Sequence, residues 1–240
     1  MTPTVTCPLQ VQRYGDSALL VSGADDEQLS KETRWAAVHA VAGRLRAAGI
    51  RGIEGIVATF ETLTVEFDPL ELDAFDLGEL IRGWSPIPID PTGTGRVVEI
   101  PMVYGGEYGP DLASVASHLG LREHEVIERH SAHLWRVAFT GAPAGTPLHE
   151  GAAFDAPIPR MPEPRVRIAP GTIALSGHKG TIYTIPAPGG WRLIGRTPLQ
   201  IINPSGDPFV AIEPGDSLRF RPISEHEFAQ AAPAFIGELL

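Results

Sequence analysis

A single cysteine, Cys7, stands in a chain of 240 residues. It can close no intrachain disulfide and offers no thiolate cluster to a metal, which fits a reducing compartment. Lysine is nearly as scarce, with only Lys31 and Lys179 present, so arginine supplies almost all of the 19 basic side chains. Set against 29 acidic ones, they leave a formal charge of −10, which disfavours a general surface for nucleic acid or an anionic membrane. No basic segment followed by an apolar run opens the chain, and no stretch approaches the roughly 18 apolar residues of a membrane span. A cytoplasmic protein is expected. Common catalytic signatures are missing too: there is no G-x-x-x-x-G-K-[ST] phosphate loop, no strand-borne G-x-G-x-x-G, no G-x-S-x-G elbow and no H-E-x-x-H zinc motif.

What is present describes a globular protein, with 43% hydrophobic and 20% charged residues. Glycine (26) and proline (23) are abundant, which argues against a helical bundle and for strands and turns. Their placement is uneven. Only Pro3, Pro8 and Pro69 precede residue 86, and the other 20 prolines follow from there. Two differently built halves are expected, residues 1–88 and 89–240, with the Pro/Gly/Thr-rich stretch from Trp84 to Gly95 as an extended linker.

The first half alternates strand and helix signals. Residues 10–21 hold two apolar runs around Gly15-Asp16, a hairpin signal. Leu29, Trp35, Val38, Val41, Ala42 and Leu45 recur at helical spacing over 25–48, with Gly49 placed as a C-terminal cap. GIVATF and TLTVEF read as paired strands, and residues 73–82 as a second helix. The order ββαββα describes an α+β domain. The second half opens with the strand VVEIPMVY, then a helix over LASVASHLG capped by Asp111, and another from Arg122 to His130. From Trp135 onward the runs WRVAF, RVRI, TIALS, TIYTI, WRLIG, LQII, FVAI and SLRFRPI alternate with Gly/Pro turns, the spacing of a β-barrel or sandwich.

Three features are candidates for chemistry. His118, His124, His130 and His133 cluster within sixteen residues, but no third ligand or supporting shell accompanies the His130/His133 pair, so no metal site is expected. His130 closes a helix just before the barrel and is placed to face a barrel mouth; exposed or helix-terminal positions explain His118 and His124. The segment from Pro188 to Pro198 combines Gly189 and Gly190, which let a backbone approach closely, with Trp191 and with Arg192 and Arg196, which can bind carboxylate or phosphate in bidentate fashion. A barrel corner with a Trp plug and solvated arginines would use the same residues. Tyr104, Gly105, Gly106 and Glu107 begin a backbone-rich loop that feeds a helix N-terminus, where an anion or merely a turn can sit.

These motifs, with Pro159-Arg160 and Pro164-Arg165, resemble a known family. It contains the B subunit of 5-oxoprolinase (PxpB), also named allophanate hydrolase subunit 1, and the sporulation kinase inhibitor KipI. The residues that carry the resemblance are GDSALL at 15–20, IPMVYGGEYGPDL at 100–112, His130-Ser131, APGGWRLIGRTPL at 187–199 and PGDSLRFRPIS at 214–224. The resemblance implies an α+β N-terminal domain followed by an all-β cyclophilin-like barrel whose groove holds substrate. It implies a partner, the cyclophilin-like C subunit (allophanate hydrolase subunit 2-like). Joined by an A subunit of a different fold, the pair would form an ATP-dependent complex, using Mg, that opens 5-oxoproline to glutamate. A fused relative of the pair forms the carboxyltransferase part of urea carboxylase.

A lactam is a stable electrophile, so its ATP-driven opening points to phosphorylation of the carbonyl oxygen. On this reading Arg192 and Arg196 hold the charged intermediate and His130 and Glu107 handle protons. Gly189, Gly190, Trp191, Tyr104, Gly105 and Gly106 shape the substrate surface. The chain departs from the family's pattern at Phe139–Leu148, which lacks two Phe and a Tyr, at Ile168–Gly171, and at Gly177–Tyr183, where Thr181 stands in place of a glycine and Lys179 is nearby. Loss of pocket aromatics gives the alternative reading, a KipI-like non-catalytic protein that inhibits a sensor histidine kinase. A peptidyl-prolyl isomerase would rest on fold analogy alone.

Overall fold

The computed structural model describes residues 5–25, 28–89, 95–231 and 234–239. It divides into two compact units, residues 1–93 and 94–240. In the first unit β2 (Leu9–Arg13) and β3 (Ala18–Gly23) follow a short β1 (Val5–Cys7); α1 (Lys31–Ala48), β4 (Ile53–Ala58), β5 (Thr62–Phe67), α2 (Ala74–Arg82) and β6 (Ile87–Ile89) complete it. The sheet order is β2-β3-β5-β4, all antiparallel. The hairpin turns at Gly15, whose φ of 72° suits glycine.

Helix α1 begins at Lys31 rather than near 25, because Ser30 accepts from the Thr33 amide and Gly49 closes the other end in the left-handed region. Residues 26 and 27 of the expected helix lie outside the described residues. Trp35, Val38, Val41, Ala42 and Leu45 are buried as the spacing predicts, each large apolar side chain contributing about 1.5–3 kcal/mol. The expected linker differs. Ile87 and Ile89 are buried and pair with β1, so its first part is a strand of this unit; residues 90–94 lie outside the described residues.

The second unit is a closed barrel. Its elements are β7 (Val97–Tyr104), α3 (Leu112–Leu119), α4 (Glu123–Ala132), β8 (Trp135–Gly141), β9 (Thr146–Glu150), β10 (Arg165–Ile168), β11 (Thr172–Ser176), β12 (Lys179–Ile182), β13 (Ala187–Gly189), β14 (Arg192–Arg196), β15 (Ser217–Pro222) and α5 (Glu225–Gln230). The barrel runs β11-β12-β9-β8-β15-β7-β14, while β10 and β13 form a separate two-stranded ribbon. Val98, Ile100, Met102, Trp135, Val137, Ile173, Leu175, Ile182, Ile194, Leu218 and Phe220 fill it. The architecture is therefore an α+β unit followed by a β-barrel, with α3 and α4 beside the barrel strands. Among the described residues no helix is long and apolar enough to cross a membrane.

Two expected strands do not form. LQII and FVAI make only isolated bridges, Gln200 with Phe235 and Ile202 with Val210, because Pro198, Pro204, Pro208 and Pro214 remove the amides a ladder needs. They still bury Leu199, Ile201, Ala211 and Ile212 in the same core. Asp111 occupies the helix N-cap position as expected, but its side chain makes no cap hydrogen bond; it reaches across the fold instead.

Close packing makes Gly109 essential. A Cβ on Gly109 would collide with the Ile194 carbonyl of β14, whereas one on Gly43, on the exposed side of α1, would meet open space. Gly109→Ala is expected to destabilise its unit by about 1–3 kcal/mol. Gly43→Ala is expected to stabilise its own by about 0.5–1 kcal/mol. Urea unfolding of both variants checks the opposite signs.

Candidate functional site

Side chains alternate along a strand, so the barrel has an outer face as well as a core. Ile173, Leu175, Ile182 and Ile194 belong to the core, while Ala174, Leu193, Tyr183 and Ile168 form a second cluster, with Ala187 and Trp191 packed on it. Thr181 faces the same way, since it pairs with Ala174 in the ladder of β11 and β12. The β10/β13 ribbon supplies Ile168 and Ala187 to this cluster.

A cavity of about 200 Å3 lies beside the cluster, lined by Thr181, Tyr183, Gly189, Gly190, Trp191 and Arg160, with Ala142, Pro143, Thr146, Leu148 and Pro188. Three of the residues expected to bind substrate, Gly189, Gly190 and Trp191, meet there. A side chain at position 189 would strike the Tyr183 hydroxyl, so glycine lets the ribbon sit directly against the phenol. The Thr181 hydroxyl is buried without a hydrogen-bond partner among the described residues. Burial raises the Tyr183 pKa, with Arg160 and Arg165 pulling the other way; the phenol stays protonated at neutral pH and able to donate.

The ribbon is held by Asp111. One carboxylate oxygen accepts from Arg165 Nη2 at 2.9 Å and the other from the Leu193 amide at 2.8 Å. Of the two arginines in the Pro-Arg repeat, Arg165 is thus a structural partner, whereas Arg160 lines the cavity. Sequence reasoning singled out this motif without separating their roles, and it gave no role to Tyr183. Only Thr181 was marked, by its place in the altered segment.

The other expected residues are dispersed. Arg196 lines a different cavity, of about 520 Å3, bounded also by Gly171, Ile185, Gln200, Ile202 and Phe228 and sharing Tyr183 with the first. Its Nε donates to the Pro170 carbonyl at 3.0 Å, and Arg192 Nε donates to the Pro159 carbonyl at 3.1 Å. Gly105 and Gly106 have φ of 68° and 54°, and the Gly105 amide donates to the Ile194 carbonyl at 3.0 Å. The Gly109 amide donates to Gly105 and that of Asp111 to Leu193. The amides of Gly105 and Asp111 thereby lock β14 in place, and that of Gly109 closes the loop on itself. Glu107 is exposed at its tip.

His130 lies inside the barrel, 0% exposed, and does not meet Glu107. Its Nδ1 is 2.7 Å from the Tyr104 hydroxyl, its carbonyl accepts from Trp135 Nε1 at 3.0 Å, and its ring packs on Trp135 and Phe220. His149 is also fully buried, and its two nitrogens, like His130 Nε2, have no partner among the described residues. Burial drives the His130 pKa well below the usual imidazole value, helped by His149 and His133, and takes that of His149 down to about 3. Tyr104 is raised by burial. Both buried imidazoles are neutral at physiological pH.

Fold and cavities together define a class: a closed barrel that carries a small, arginine-edged cavity on its outer face. The chain belongs to the family described as carboxyltransferase domain, subdomain C and D, whose model matches residues 9–212. It is 32% identical over 238 residues to the 5-oxoprolinase B subunit of Bacillus subtilis (strain 168), covering 93% of this chain and 97% of that protein. It is 40% identical over 159 residues to the 5-oxoprolinase B subunit of Escherichia coli O157:H7, covering 66% of this chain and 71% of that one. The crystal structure of TTHA0988 matches with a TM-score of 0.73 at 30% identity over 90% of this chain, which spans only 40% of that longer chain.

Proposed function

We propose that this chain is the B subunit of a complex that hydrolyses 5-oxoproline to glutamate with consumption of ATP, working with a C subunit as its partner. One observation carries the reading: similarity to a protein named as the B subunit of 5-oxoprolinase extends over 97% of that relative. The cavities fit it. Both are bounded by Tyr183, one presents Arg160 and the other Arg196, and cationic groups of this kind bind the carboxylate of a small substrate.

The overall reaction joins the lactam, ATP and two waters to yield glutamate, ADP and phosphate. The lactam oxygen attacks the γ-phosphorus as the bond to ADP breaks; one water adds to the activated carbon, the ring C–N bond breaks as the nitrogen takes that water's proton and becomes the free amine, and the second water hydrolyses the resulting acyl phosphate to glutamate and phosphate. Among the described residues no group of three His, Cys, Asp or Glu side chains is placed to hold a metal ion, and the phosphate-loop motif is absent from the sequence. Neither cavity carries a carboxylate that could share a magnesium ion with nucleotide phosphates, and we assign nucleotide binding to another member of the complex.

Copurification with the A and C subunits, followed by an assay of ATP-dependent glutamate release from 5-oxoproline, tests the reading. Turnover is expected, and Arg160→Ala is expected to lower kcat/KM by about 10- to 100-fold, as for loss of one charged hydrogen-bonding group. An intact complex that releases no glutamate would refute the hydrolase reading and leave the regulator of the KipI type.

A further inference from the structure

We propose that the 200 Å3 cavity is the site for a small carboxylate bearing a planar amide, in which Arg160 takes the carboxylate and the Thr181 and Tyr183 hydroxyls take the amide. Thr181 is then a specificity-determining residue. This deepens the reading above and rests on it.

The strongest observation is the Thr181 hydroxyl. Thr181 is 5% exposed, and its Oγ1 finds no partner among the described residues, although it lines a cavity. Buried hydroxyls are nearly always satisfied, and nothing in the packing asks for one here. Its ladder neighbour is Ala174, and valine would fill the same space. By contrast Thr146, also at the cavity, already donates to the Pro143 carbonyl. A buried, unpaired hydroxyl on a residue that lines a cavity is placed to bind what enters.

The remaining walls narrow the ligand. Arg160 is the one charged residue among those lining the cavity, and its guanidinium has no ion pair among the described residues, so an anion is favoured and a forked carboxylate matches it best. Tyr183 adds a phenol opposite the ribbon, protonated because burial opposes its ionisation. Trp191 and Pro143 supply apolar faces for a flat ring. Size excludes a nucleotide: about 200 Å3 is below the roughly 300–1,000 Å3 of sites for drug-sized ligands, and suits a molecule of amino-acid size. A five-membered lactam with one carboxylate meets each condition.

The test uses the complex with its partners and three probes: L-5-oxoproline, L-proline, which lacks the lactam carbonyl, and 2-pyrrolidone, which lacks the carboxylate. Thr181→Val should weaken 5-oxoproline, in both Kd and KM, by about 10- to 100-fold. It should leave L-proline unchanged and leave Tm equal or higher, because an unsatisfied hydroxyl has been removed. Arg160→Ala should weaken both carboxylates at least about tenfold, the usual effect of a lost charged hydrogen bond, and spare 2-pyrrolidone. If both variants turn over 5-oxoproline with the original KM, the cavity assignment is wrong and the hydrolase reading survives. If 5-oxoproline binds with the expected variant pattern but is not hydrolysed, the hydrolase reading is wrong and the cavity assignment survives. A fall in Tm for Thr181→Val would make the hydroxyl structural and overturn its proposed role.

Discussion

Asp111→Ala is expected to destabilise the barrel unit by about 3 kcal/mol, the lower end of the range for breaking a buried ion pair. The side chain of Asp111 is 8% exposed and that of Arg165 28%, so water recovers part of the charge left on the arginine but little of what Asp111 supplied. The Leu193 amide, which donates to Asp111 at 2.8 Å, would be left buried and unpaired, a further cost. The consequence reaches the cavity, because Arg165 begins β10 and its pairing with Gly189 holds the ribbon. Weakened 5-oxoproline binding is expected even where the variant remains folded. Urea unfolding gives the first quantity and ligand titration the second. A loss under about 1 kcal/mol, the size of an exposed pair, would show that Asp111 does not lock the ribbon.

Acid is expected to weaken the same unit well before its carboxylates titrate. His130 and His149 are neutral in the fold, with pKa values depressed by burial, so between the ordinary imidazole value and the depressed one the unfolded chain binds more protons. Stability is therefore fully present above about pH 6.5 and falls as pH drops through the interval down to about 3, the folded value of His149. Each pH unit within it costs about 1.4 kcal/mol per imidazole. From pH 7 to pH 5 His149 alone costs about 2 kcal/mol, and His130 and His133, also lowered by burial, add in the same direction. Glu125, lowered to about 2 by its hydrogen bonds with Arg122, loses its contribution only below about pH 4.5 and so adds nothing between about pH 7 and 5. Urea unfolding at both pH values measures the difference, and His149→Gln should remove about 2 kcal/mol of it. An unchanged pH dependence in that variant would rule out His149 as a source.

Much of the local structure was legible along the chain. Ser30 and Gly49 bound α1 by capping, and the apolar period over 35–45 selects the buried face. VVEIPMVY became β7 with the expected bounds, because its apolar residues alternate as a strand requires. Proline-flanked runs were misread as strands at LQII and FVAI, where apolarity reported burial rather than pairing. The β10/β13 ribbon illustrates another limit. APG carries no strand signal of its own, and it pairs only because β10 is presented to it.

The candidate site was legible as a set of motifs and not as a place. Gly189, Gly190 and Trp191 do line one cavity, but Arg196 opens on another and His130 is sealed in the core. Composition and periodicity by themselves determined two differently built halves, the helices with their caps, most barrel strands, and the glycine positions where backbones approach. The tertiary structure alone decided which arginine of the Pro-Arg repeat is paired with Asp111 and which lines the cavity, and that the Thr181 hydroxyl is buried without a partner among the described residues. Asp111 meets Arg165 and Leu193 across sequence separations of 54 and 82 residues. Such meetings depend on how the barrel closes and on strand register, neither of which any local stretch of sequence encodes.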